Sequence, residues 1–327
     1  MVSKKVKRMM LGIFLFFTIC LGVYLFYTYS QLQKMIEPIE TTEMFGPIET
    51  TEKPAPSLSK TTPISVLLLG IDQLNKEPAR SDAMIVLTLN PEDQTTKMVS
   101  IPRDTLTKIV GKGYGDKINH AYAFGGASMS VKTVENFLDI PIDYYASINL
   151  KGLTKLVEVL GSITVENKFE FQSHDGNHTY PKGKVKLTND NIEDYIRMRY
   201  DDPNGDFGRQ ERQRQVVTKL IDKSLSINTL PKLNKIINLL GNNVRTNAKP
   251  LELLKMAKHY KPALTNQEVL QFKGTNSKIN GIYYYITDEA SKQDIKNQLK
   301  KELKWNAKLG VCFLWRKEKI TSTNPRR

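Results

Sequence analysis

The sequence predicts an α/β domain that follows a single membrane-spanning helix, and three observations support this architecture. An uncharged apolar run near the N-terminus is long enough to cross a bilayer. Further along, short continuous apolar segments are typical of buried strands. They alternate with segments whose apolar residues recur at helical spacing, and this mixture is typical of layered α/β domains. No second domain boundary stands out in the 327 residues.

The N-terminal apolar run covers residues 9–30 and contains no charged side chain. A hydrocarbon core about 30 Å thick needs about 20 such residues. Residues 1–8 are basic, so the positive-inside rule places them in the cytoplasm and the remainder of the chain outside. The alternative is a cleaved signal peptide, but the run is long for one and no small-residue cleavage site follows it. We therefore predict an uncleaved, single-pass anchor in the cell membrane.

The segments on either side of the predicted domain differ from it in composition. Residues 31–63 are rich in Pro, Thr and Glu, and such a segment buries too little apolar surface to offset the entropy of ordering. It is predicted to be an extracytoplasmic tether for a domain over residues 64–303. Residues 304–327 form a basic tail whose apolar stretch is too short to span a bilayer. This tail is either a loose end with one packed turn or a membrane-surface contact.

The elements of the domain follow from the period of the apolar residues and from turn residues between them. The turn at Asn90-Pro91, for example, separates two predicted strands, while Asn149 and Gly161 begin and end a predicted helix. The predicted strands cover residues 64–72, 83–89, 97–101, 163–166 and 282–286. The predicted helices cover residues 128–138, 150–160, 188–196, 209–225, 230–240, 251–259 and 289–303.

The charge of the chain indicates an anionic partner. Its formal net charge is +14, which suggests nucleic acid, anionic lipid or an anionic polymer. Nucleic acid does not fit a domain predicted to lie outside the cytoplasm. Cys20 falls in the predicted span and Cys312 near the C-terminus, so we do not expect them to pair. A domain without disulfides fits a cell envelope that does not rely on them.

Acidic residues stand at the ends of the first three predicted strands. Asp72 ends the first strand, Asp82 begins the second, and Arg103 and Asp104 follow the third. If neighbouring strands run antiparallel, all of these residues reach the same edge of the sheet. Mg²⁺ uses one or two carboxylates and completes its shell with water and substrate phosphates. The pair is therefore a candidate metal site, and the alternative is that both are ordinary strand-end residues.

Five arginines lie within the eighteen residues 197–214. Exposed ion pairs contribute only about 0–1 kcal/mol, so stability does not explain this density, whereas guanidinium groups bind phosphate oxygens bidentately. Arg209 and Gln213 share one face of a predicted helix whose N-terminus also favours anions. Arg214 lies on another face and is expected to face solvent or the tether. The arginines and the carboxylates together match the needs of a pyrophosphate with a metal ion.

Short motifs carrying these residues follow one another along the chain. They are Leu-Gly-Ile-Asp72, Arg80-Ser-Asp82, Ser100-Ile-Pro-Arg103-Asp104, Lys117-Ile-Asn119-His-Ala-Tyr, Gly125-Gly126, Arg197-Met-Arg199 and Asp206-Phe-Gly-Arg209-Gln-Glu-Arg212-Gln213. In this order, behind an anchor, they resemble the LytR-CpsA-Psr family of Gram-positive envelope proteins over about residues 64–217. The resemblance implies a three-layer α/β/α sandwich around a mixed β-sheet. It also implies a phosphotransferase that moves a glycopolymer from a polyprenyl-pyrophosphate carrier to peptidoglycan.

The resemblance also assigns roles to individual residues. Asp72 and Asp82 would hold Mg²⁺, with Mn²⁺ as the alternative. Arg103 and Asp104 would be catalytic, although the proton-accepting role of Asp104 stands beside a plain salt bridge to Arg103. The residues expected to bind the pyrophosphate are Arg80, Arg103, Lys117, Arg197, Arg199, Arg209 and Gln213. Candidates for lining an apolar cleft for the polyprenyl tail are Val131, Val134, Phe137, Leu153, Val157 and Leu160. The alternative is that they are core residues, which periodic apolar positions more often are.

Three functions are compatible with these residues. The first is transfer of a teichoic-acid-like or capsular polymer to a peptidoglycan sugar hydroxyl, which forms a phosphodiester. The second is a regulator that binds polyprenyl pyrophosphate or wall polymer without chemistry. The third is a pyrophosphatase that uses water as acceptor. The His174/His178 pair is predicted to lie in a loop and not to bind metal.

Overall fold

The computed structural model describes residues 26–27, 29–30, 56–72, 79–224, 243–306 and 311–312. The strands of these ranges are β1 (Ile64–Asp72), β2 (Arg80–Asn90), β3 (Thr95–Ser100), β4 (Leu106–Lys108), β5 (Gly115–Lys117), β6 (Tyr144–Asn149), β7 (Ile163–Asn167), β8 (Phe171–Gln172), β9 (Thr179–Tyr180), β10 (Gly183–Leu187), β11 (Val244–Thr246), β12 (Asn266–Gln271), β13 (Gly274–Ile279), β14 (Ile282–Thr287), β15 (Trp305–Asn306) and β16 (Val311–Cys312). The helices are α1 (His120–Leu138), α2 (Leu150–Leu160), α3 (Ile192–Arg197), α4 (Asp206–Ser224), α5 (Pro250–His259) and α6 (Glu289–Glu302), with a 3₁₀ turn at Lys261–Leu264.

A mixed sheet is the centre of the described structure. Within the described ranges it has six strands, in the order β11-β6-β1-β2-β3-β12. The predicted antiparallel arrangement of the first three strands is confirmed, because β1 pairs antiparallel with β2 and β2 with β3. β6 runs parallel to β1, and β12 runs parallel to β3. The C-terminal ends of β1, β3 and β6 and the start of β2 therefore share one edge of the sheet.

Helices pack against both faces of this sheet because its strands are apolar on both sides. Met84 and Val86 of β2 join a core with residues of α1 and α6. Ile85 and Leu87 point the other way and join a second core, against which Val217 of α4 packs. Full burial of an aliphatic side chain contributes about 1.5–3 kcal/mol, so these two cores fix the sheet between its helices.

A third core supports the helices that carry the arginines. It packs α3 and α4 against the two-stranded sheet of β7 and β10. The helix residues buried there are Tyr195, Ile196, Val216 and Leu220. The short α3 has too few turns to be stable alone, so this packing determines its position. The arginines at the end of α3 and in the first turns of α4 are thereby held against the edge of the central sheet.

The structure extends two predicted helices and, among the described residues, contains eleven strands that the sequence analysis did not predict, namely β4–β6, β8–β13, β15 and β16. The predicted helix 128–138 begins earlier, at His120, and is interrupted at Gly125 and Gly126, where Gly126 has a φ of 61°. The predicted helix 209–225 begins at Asp206. The sequence analysis missed β13, which pairs with β14 in a hairpin, because β13 is polar and largely exposed. This hairpin contacts the site, since the Tyr285 amide donates to the Asp104 carbonyl at 2.9 Å.

Several predicted segments lie outside the described residues. These are the basic residues 1–8, nearly all of the span 9–30, most of the tether 31–63, the helix 230–240 and most of the tail 304–327. Among the residues that the structure does describe, no helix has the length and apolar character needed to cross a membrane. The predicted anchor, tether and tail stay predictions.

Candidate active site

The two acidic strand ends meet at the sheet edge, as the antiparallel order requires. Asp72 lies opposite Arg80 in the β1–β2 register, and a register shift after Gly70 precedes it. Burial raises the pKa of Asp72 above its ordinary value, and Arg197 opposes the rise. The neighbouring Asp82 adds to it through charge repulsion and a side-chain hydrogen bond. Two carboxylates close enough to share a proton form a position that attracts a cation.

Arg103 connects this acidic edge to a further carboxylate. Its Nη1 donates to Asp82 Oδ1 at 2.6 Å, and its Nε lies 3.7 Å from Asp104 Oδ2. Asp104 also forms an ion pair with Lys117 Nζ at 2.8 Å. Burial lowers the pKa of Arg103, but Asp82 and Asp104 outweigh this effect and raise it. The salt bridge that we considered for Asp104 is therefore a long one to Arg103 and a close one to Lys117.

The first turns of α4 bring two further predicted residues to the same place. Arg209 is buried and donates to Asp206, three residues earlier on the helix. Gly205 precedes the helix with a φ of 54°, a conformation that favours glycine. The role of Asp206 was not predicted, although the spacing of three residues from Arg209 is a recognisable helical ion-pair signal. Gln213 lies one turn beyond Arg209.

Arg197 and Arg199 approach from the end of α3. Arg197 Nη2 lies 3.5 Å from Asp72 Oδ2, and its Nη1 donates to Glu193 at 2.6 Å. Arg199 Nε lies 3.9 Å from Asp206 Oδ1. Together with Arg103 and Arg209 they form what we call the guanidinium cluster. Four guanidinium groups and four aspartates thus converge from the ends of β1, β3 and α3 and the starts of β2 and α4.

Two donors of the guanidinium cluster are buried without a hydrogen-bond partner among the described residues. They are the Nε groups of Arg103 and Arg209. Buried polar groups in folded proteins are nearly always hydrogen-bonded, so these two donors are available to a ligand that binds between them. Burial also lowers the pKa of Arg209, and the nearby charge of Arg103 adds to this effect while Asp206 opposes it. Because arginine stays protonated, the two Nε donors suit an anionic ligand.

An apolar cavity of about 470 Å³ lies beside the cluster. Leu153 is the predicted cleft residue that lines it, whereas Val131, Val134 and Phe137 pack in the core between α1 and the sheet. Val157 and Leu160 pack in the core under α3. For these five the alternative of a core position is confirmed, because apolar periodicity does not separate core from cleft. The apolar lining comes from Leu68, Leu69, Ile71, Ile85, Ala146, Ile148, Leu150, Leu153, Leu156, Val216, Val217 and Val244.

The predicted site residues divide between two places. Six of them border the apolar cavity: Asp72, Asp82, Arg103, Arg197, Arg209 and Gln213. Asp104 and Arg199 line a second cavity next to it. Arg80 and Lys117 line neither cavity; Arg80 is exposed at the start of β2, and Lys117 acts through its contact with Asp104.

Two other arginines of the segment are structural. Arg212 forms a buried ion pair with Asp202 at 2.5 Å and also donates to the backbone carbonyls of Tyr195 and Met198. Arg214 is buried as well, and its Nη1 donates to Ser100 Oγ at 2.9 Å. The expectation that Arg214 faces solvent or the tether was wrong. Helical spacing shows that Arg214 and Arg209 lie on different faces of α4. It does not show that other parts of the chain pack against both faces.

The donor set at the sheet edge fits a hard divalent cation. Asp72 and Asp82 supply carboxylate oxygens, and repulsion between them is relieved by a cation. The described residues contain no group of three or more His, Cys, Asp or Glu arranged to hold a metal alone. Mg²⁺ commonly uses one or two carboxylates and takes its remaining ligands from water and phosphates, so two carboxylates next to an anion site suffice.

Comparison with known proteins places this geometry in a family. The LytR_cpsA_psr family model matches residues 23–301. Polyisoprenyl-teichoic acid–peptidoglycan teichoic acid transferase TagU of Bacillus cereus is 42% identical over 302 residues, which cover 92% of this chain and 98% of that protein. TagU of Bacillus subtilis is 46% identical over 247 residues, or 76% of this chain and 80% of that protein.

Solved structures have the same fold. The crystal structure of B. subtilis TagU has a TM-score of 0.61 and 40% identity, covering 75% of this chain and 99% of that one. TagT bound to LIIa-WTA has a TM-score of 0.67 and 29% identity, covering 81% and 100%. A protein of Enterococcus faecalis described as a transcriptional regulator has a TM-score of 0.68 and 38% identity, covering 80% and 93%. By its family model and by this similarity, the chain belongs to the LytR-CpsA-Psr family.

Proposed function

We propose that this protein is a phosphotransferase that moves an anionic glycopolymer from a polyprenyl-pyrophosphate carrier to a sugar hydroxyl of peptidoglycan. The observation that carries the proposal is the pair of buried, unpaired Nε donors of Arg103 and Arg209 beside an apolar cavity. A pyrophosphate with a long hydrocarbon tail satisfies both features at once. Curated relatives named as teichoic acid transferases support a teichoic-acid-like polymer as the cargo.

In the proposed reaction, one phosphorus–oxygen bond forms and another breaks at the same phosphorus atom. The acceptor hydroxyl oxygen forms a bond to the phosphorus that carries the glycan. The bond from that phosphorus to the oxygen bridging the two phosphorus atoms breaks, and polyprenyl phosphate leaves with the bonding electrons. The hydroxyl proton passes to a base, for which Asp104 is the candidate. The products are a phosphodiester between glycopolymer and peptidoglycan and a free carrier phosphate.

The residues of the chain would act mainly by positioning and by neutralising charge. Phosphoryl transfer spreads negative charge over the equatorial oxygens, and preorganised cations stabilise that charge. In this proposal Arg103 and Arg209 hold the pyrophosphate from the side of the sheet and helix α4, and Arg197 and Arg199 close over it from α3. Asp72 and Asp82 would hold Mg²⁺, or Mn²⁺ as the alternative, which when bound supplies further charge neutralisation at the phosphate oxygens.

The proposed location follows from the chemistry of the donor and from the predicted anchor. A polyprenyl carrier resides in the membrane, and no nucleotide supplies energy outside it, so the polymer arrives already activated. A single-pass anchor with a cytoplasmic N-terminus would hold the domain on the extracytoplasmic side, where peptidoglycan is available. The tether would allow the domain to reach both the carrier and the wall. Its partners are thus the lipid-linked polymer, peptidoglycan and the cell membrane.

The test is a transfer assay with the full chain in detergent, a polyprenyl-pyrophosphate-linked oligomer and peptidoglycan oligosaccharides. Mass spectrometry is expected to detect a covalent product that joins the two glycans by a phosphodiester. Arg103→Ala and Arg199→Ala are expected to fold normally and to reduce the transfer rate about 100-fold or more. The exposed Lys184→Ala on β10 is the control and retains full activity.

Other outcomes would contradict the proposal. Retention of the lipid-linked oligomer without any covalent product would make the protein a binding regulator. Release of free polymer phosphate without linkage to peptidoglycan would make it a pyrophosphatase. Full activity in both arginine variants would remove the site assignment.

A further inference from the structure

A second cavity lies next to the guanidinium cluster and differs in character from the apolar one. It measures about 490 Å³, and no described residue lines both cavities. Aromatic rings and polar side chains share its wall. The residues that the argument uses are Asp104, Arg199, Tyr200, Asn204, Asn276 and Tyr283. We call it the aromatic cavity.

The walls of the aromatic cavity are held rigidly. The loop that carries Tyr200 and Asn204 is fixed by the buried Asp202, whose side chain pairs with Arg212 and accepts from the Asn204 amide at 2.7 Å. The opposite wall is the β13–β14 hairpin, in which the Tyr283 hydroxyl donates to Asn276 Oδ1 at 2.7 Å. A pocket with fixed walls binds at a lower cost in entropy than one that must order its loops.

The guanidinium cluster connects the two cavities. Arg103 lines the apolar cavity and the next residue, Asp104, lines the aromatic one. Asp206 lines the aromatic cavity and pairs with Arg209, which lines the apolar one. Tyr283 lines the aromatic cavity together with Asp104 and Arg199. Burial raises the pKa of its hydroxyl, Asp104 adds to the rise, and Arg199 opposes it. An anion held by the cluster therefore borders both cavities.

One side chain of the aromatic cavity has no role in packing. Tyr200 is 94% exposed, although large aromatic side chains normally bury most of their surface. Its loop is nevertheless fixed by Asp202, so the ring is presented to solvent from a rigid support. A rigid, exposed aromatic ring next to carboxylate and amide groups suits a ligand that has one apolar face and a polar rim. A pyranose ring has this form, with C–H groups on one face and hydroxyls around its edge.

We infer that the aromatic cavity binds the acceptor, a pyranose unit of a peptidoglycan glycan chain, and presents its hydroxyl to the phosphorus. This inference rests on the proposed transfer function. In phosphoryl transfer the attacking and leaving oxygens lie roughly in line on opposite sides of the phosphorus. If the carrier phosphate leaves from the apolar cavity, the attacking hydroxyl must come from elsewhere. The aromatic cavity borders the same cluster and contains the carboxylate proposed as base.

The position of Asp104 favours the acceptor over the first sugar of the donor. Lys117 holds the Asp104 carboxylate at 2.8 Å, and the carboxylate lines the aromatic cavity and not the apolar one. A base is needed at the hydroxyl that attacks, whereas the donor sugar is already esterified and loses no proton. A sugar bound here therefore meets the group that takes its proton.

The experiment measures KM separately for donor and acceptor with the full chain, a synthetic polyprenyl-pyrophosphate-linked disaccharide and a peptidoglycan tetrasaccharide. Tyr200→Ala and Asn276→Ala are expected to raise the acceptor KM about tenfold and to leave the donor KM unchanged. Tyr200→Phe, which keeps the ring, is expected to stay within about twofold of the unaltered protein. The matched control is Tyr114→Ala, which removes a 51% exposed tyrosine that does not line the cavity.

The outcomes separate this inference from the proposed function. An unchanged acceptor KM in both alanine variants overturns the inference, and a raised donor KM overturns it in favour of a donor-sugar site. If the unaltered protein performs no transfer, the proposed function fails, and saturation-transfer NMR with the tetrasaccharide alone then tests the cavity. Binding that Tyr200→Ala abolishes supports the saccharide site in that case, and absence of binding overturns it.

Discussion

The arginines of residues 197–214 carry the same charge but lie in three different environments. Arg197 is about half exposed, with 48% of its side chain accessible, and it contacts Asp72 at the acidic edge. Arg209 is buried with an unpaired Nε. Arg212 is buried and fully engaged with Asp202 and two carbonyls. The environment of each guanidinium, and not the density of arginines, separates the arginines proposed to bind ligand from the structural ones.

This division predicts opposite effects for two alanine substitutions. Arg212→Ala leaves Asp202 buried and unpaired, and removal of one partner of a buried pair costs about 3–5 kcal/mol of unfolding free energy. Arg197→Ala removes an exposed ion pair worth at most about 1 kcal/mol, yet it is expected to slow transfer about 100-fold. Urea unfolding and the transfer assay, applied to both variants, measure the two effects. Equal losses of stability would contradict the assignment.

The neighbouring carboxylates Asp72 and Asp82 predict an effect of pH. Because the pKa of Asp72 is raised in the folded protein, its ionised form is disfavoured there. The resulting stability is present below the unfolded pKa of Asp72 and is lost as pH rises through the folded value. Asp72→Asn is therefore expected to be more stable than the unaltered protein at pH 7 and no more stable at pH 3. Thermal melts at both values, without metal, measure this difference.

Asp72→Asn also tests whether Asp72 helps to bind a metal ion. Millimolar Mg²⁺ is expected to raise the melting temperature of the unaltered protein at pH 7, because it binds the folded state and relieves the repulsion. Asp72→Asn is expected to lose most of this increase. Asp93→Asn, which alters an exposed turn away from the site, is the control. A similar Mg²⁺ effect on all three proteins would contradict metal binding by Asp72.

At the scale of elements, the site depends on how α4 meets the loop before it. Asp202 lies against Gly208 so closely that a Cβ on Gly208 would overlap its carboxylate. Only glycine at this position allows the Asp202–Arg212 pair to form under the first turn of the helix. The same contact supports the loop of the aromatic cavity and the helix turn that carries Arg209. This glycine therefore supports one wall residue of each cavity, Arg209 of the apolar one and Asp202 of the aromatic one.

Gly208→Ala is expected to lower the unfolding free energy by about 3 kcal/mol or more, because it separates a buried ion pair. The control is Gly113→Ala, where a Cβ meets open space and only the positive φ of 77° opposes the substitution. That variant is expected to lose about 1 kcal/mol. Urea unfolding of the two variants compares them directly. A loss at Gly208 no larger than that at Gly113 would show that Asp202 moves away without cost.

At the scale of the whole molecule, the apolar cavity lies where the sheet, α2 and α4 fail to close on one another. Leu153 and Leu156 of α2, Val216 and Val217 of α4 and the ends of β1 and β6 line it. A volume of about 470 Å³ far exceeds the small voids of an ordinary packed core. A cavity of this size with an apolar lining is suited to an apolar ligand.

Filling the cavity is expected to affect donors according to the length of their hydrocarbon tail. Ala146 lines the cavity, and Ala146→Phe places a ring in it. The KM for a long-chain polyprenyl-pyrophosphate donor is expected to rise about tenfold, while that for a donor with a short prenyl chain changes little. Thermal melts provide the control for folding. An equal rise in KM for both donors would mean that the polyprenyl tail does not bind in this cavity.

The sequence predicted the six described helices and five of the sixteen described strands, where the apolar residues repeat regularly or form a continuous run. It missed β6, β11 and β12 of the central sheet. It also placed Asp72, Asp82 and Arg103 at one edge, since that needs only the alternation of strand directions. The roles of Arg212 and Arg214 depend on what covers each face of α4, which no local pattern contains. Leu153 and Val157 likewise have the same pattern, although one borders a cavity and the other a packed core.

The ion pairs Arg103–Asp82 and Arg197–Asp72 mean that, without ligand, the site neutralises itself. A lone anion must compete with aspartates for the guanidinium groups, and a lone cation must compete with arginines for the carboxylates. If the site binds the pyrophosphate as we propose, a magnesium–pyrophosphate complex would supply both charges and would replace both ion pairs at once. We therefore expect the site to bind the combined ligand more tightly than either Mg²⁺ or pyrophosphate alone.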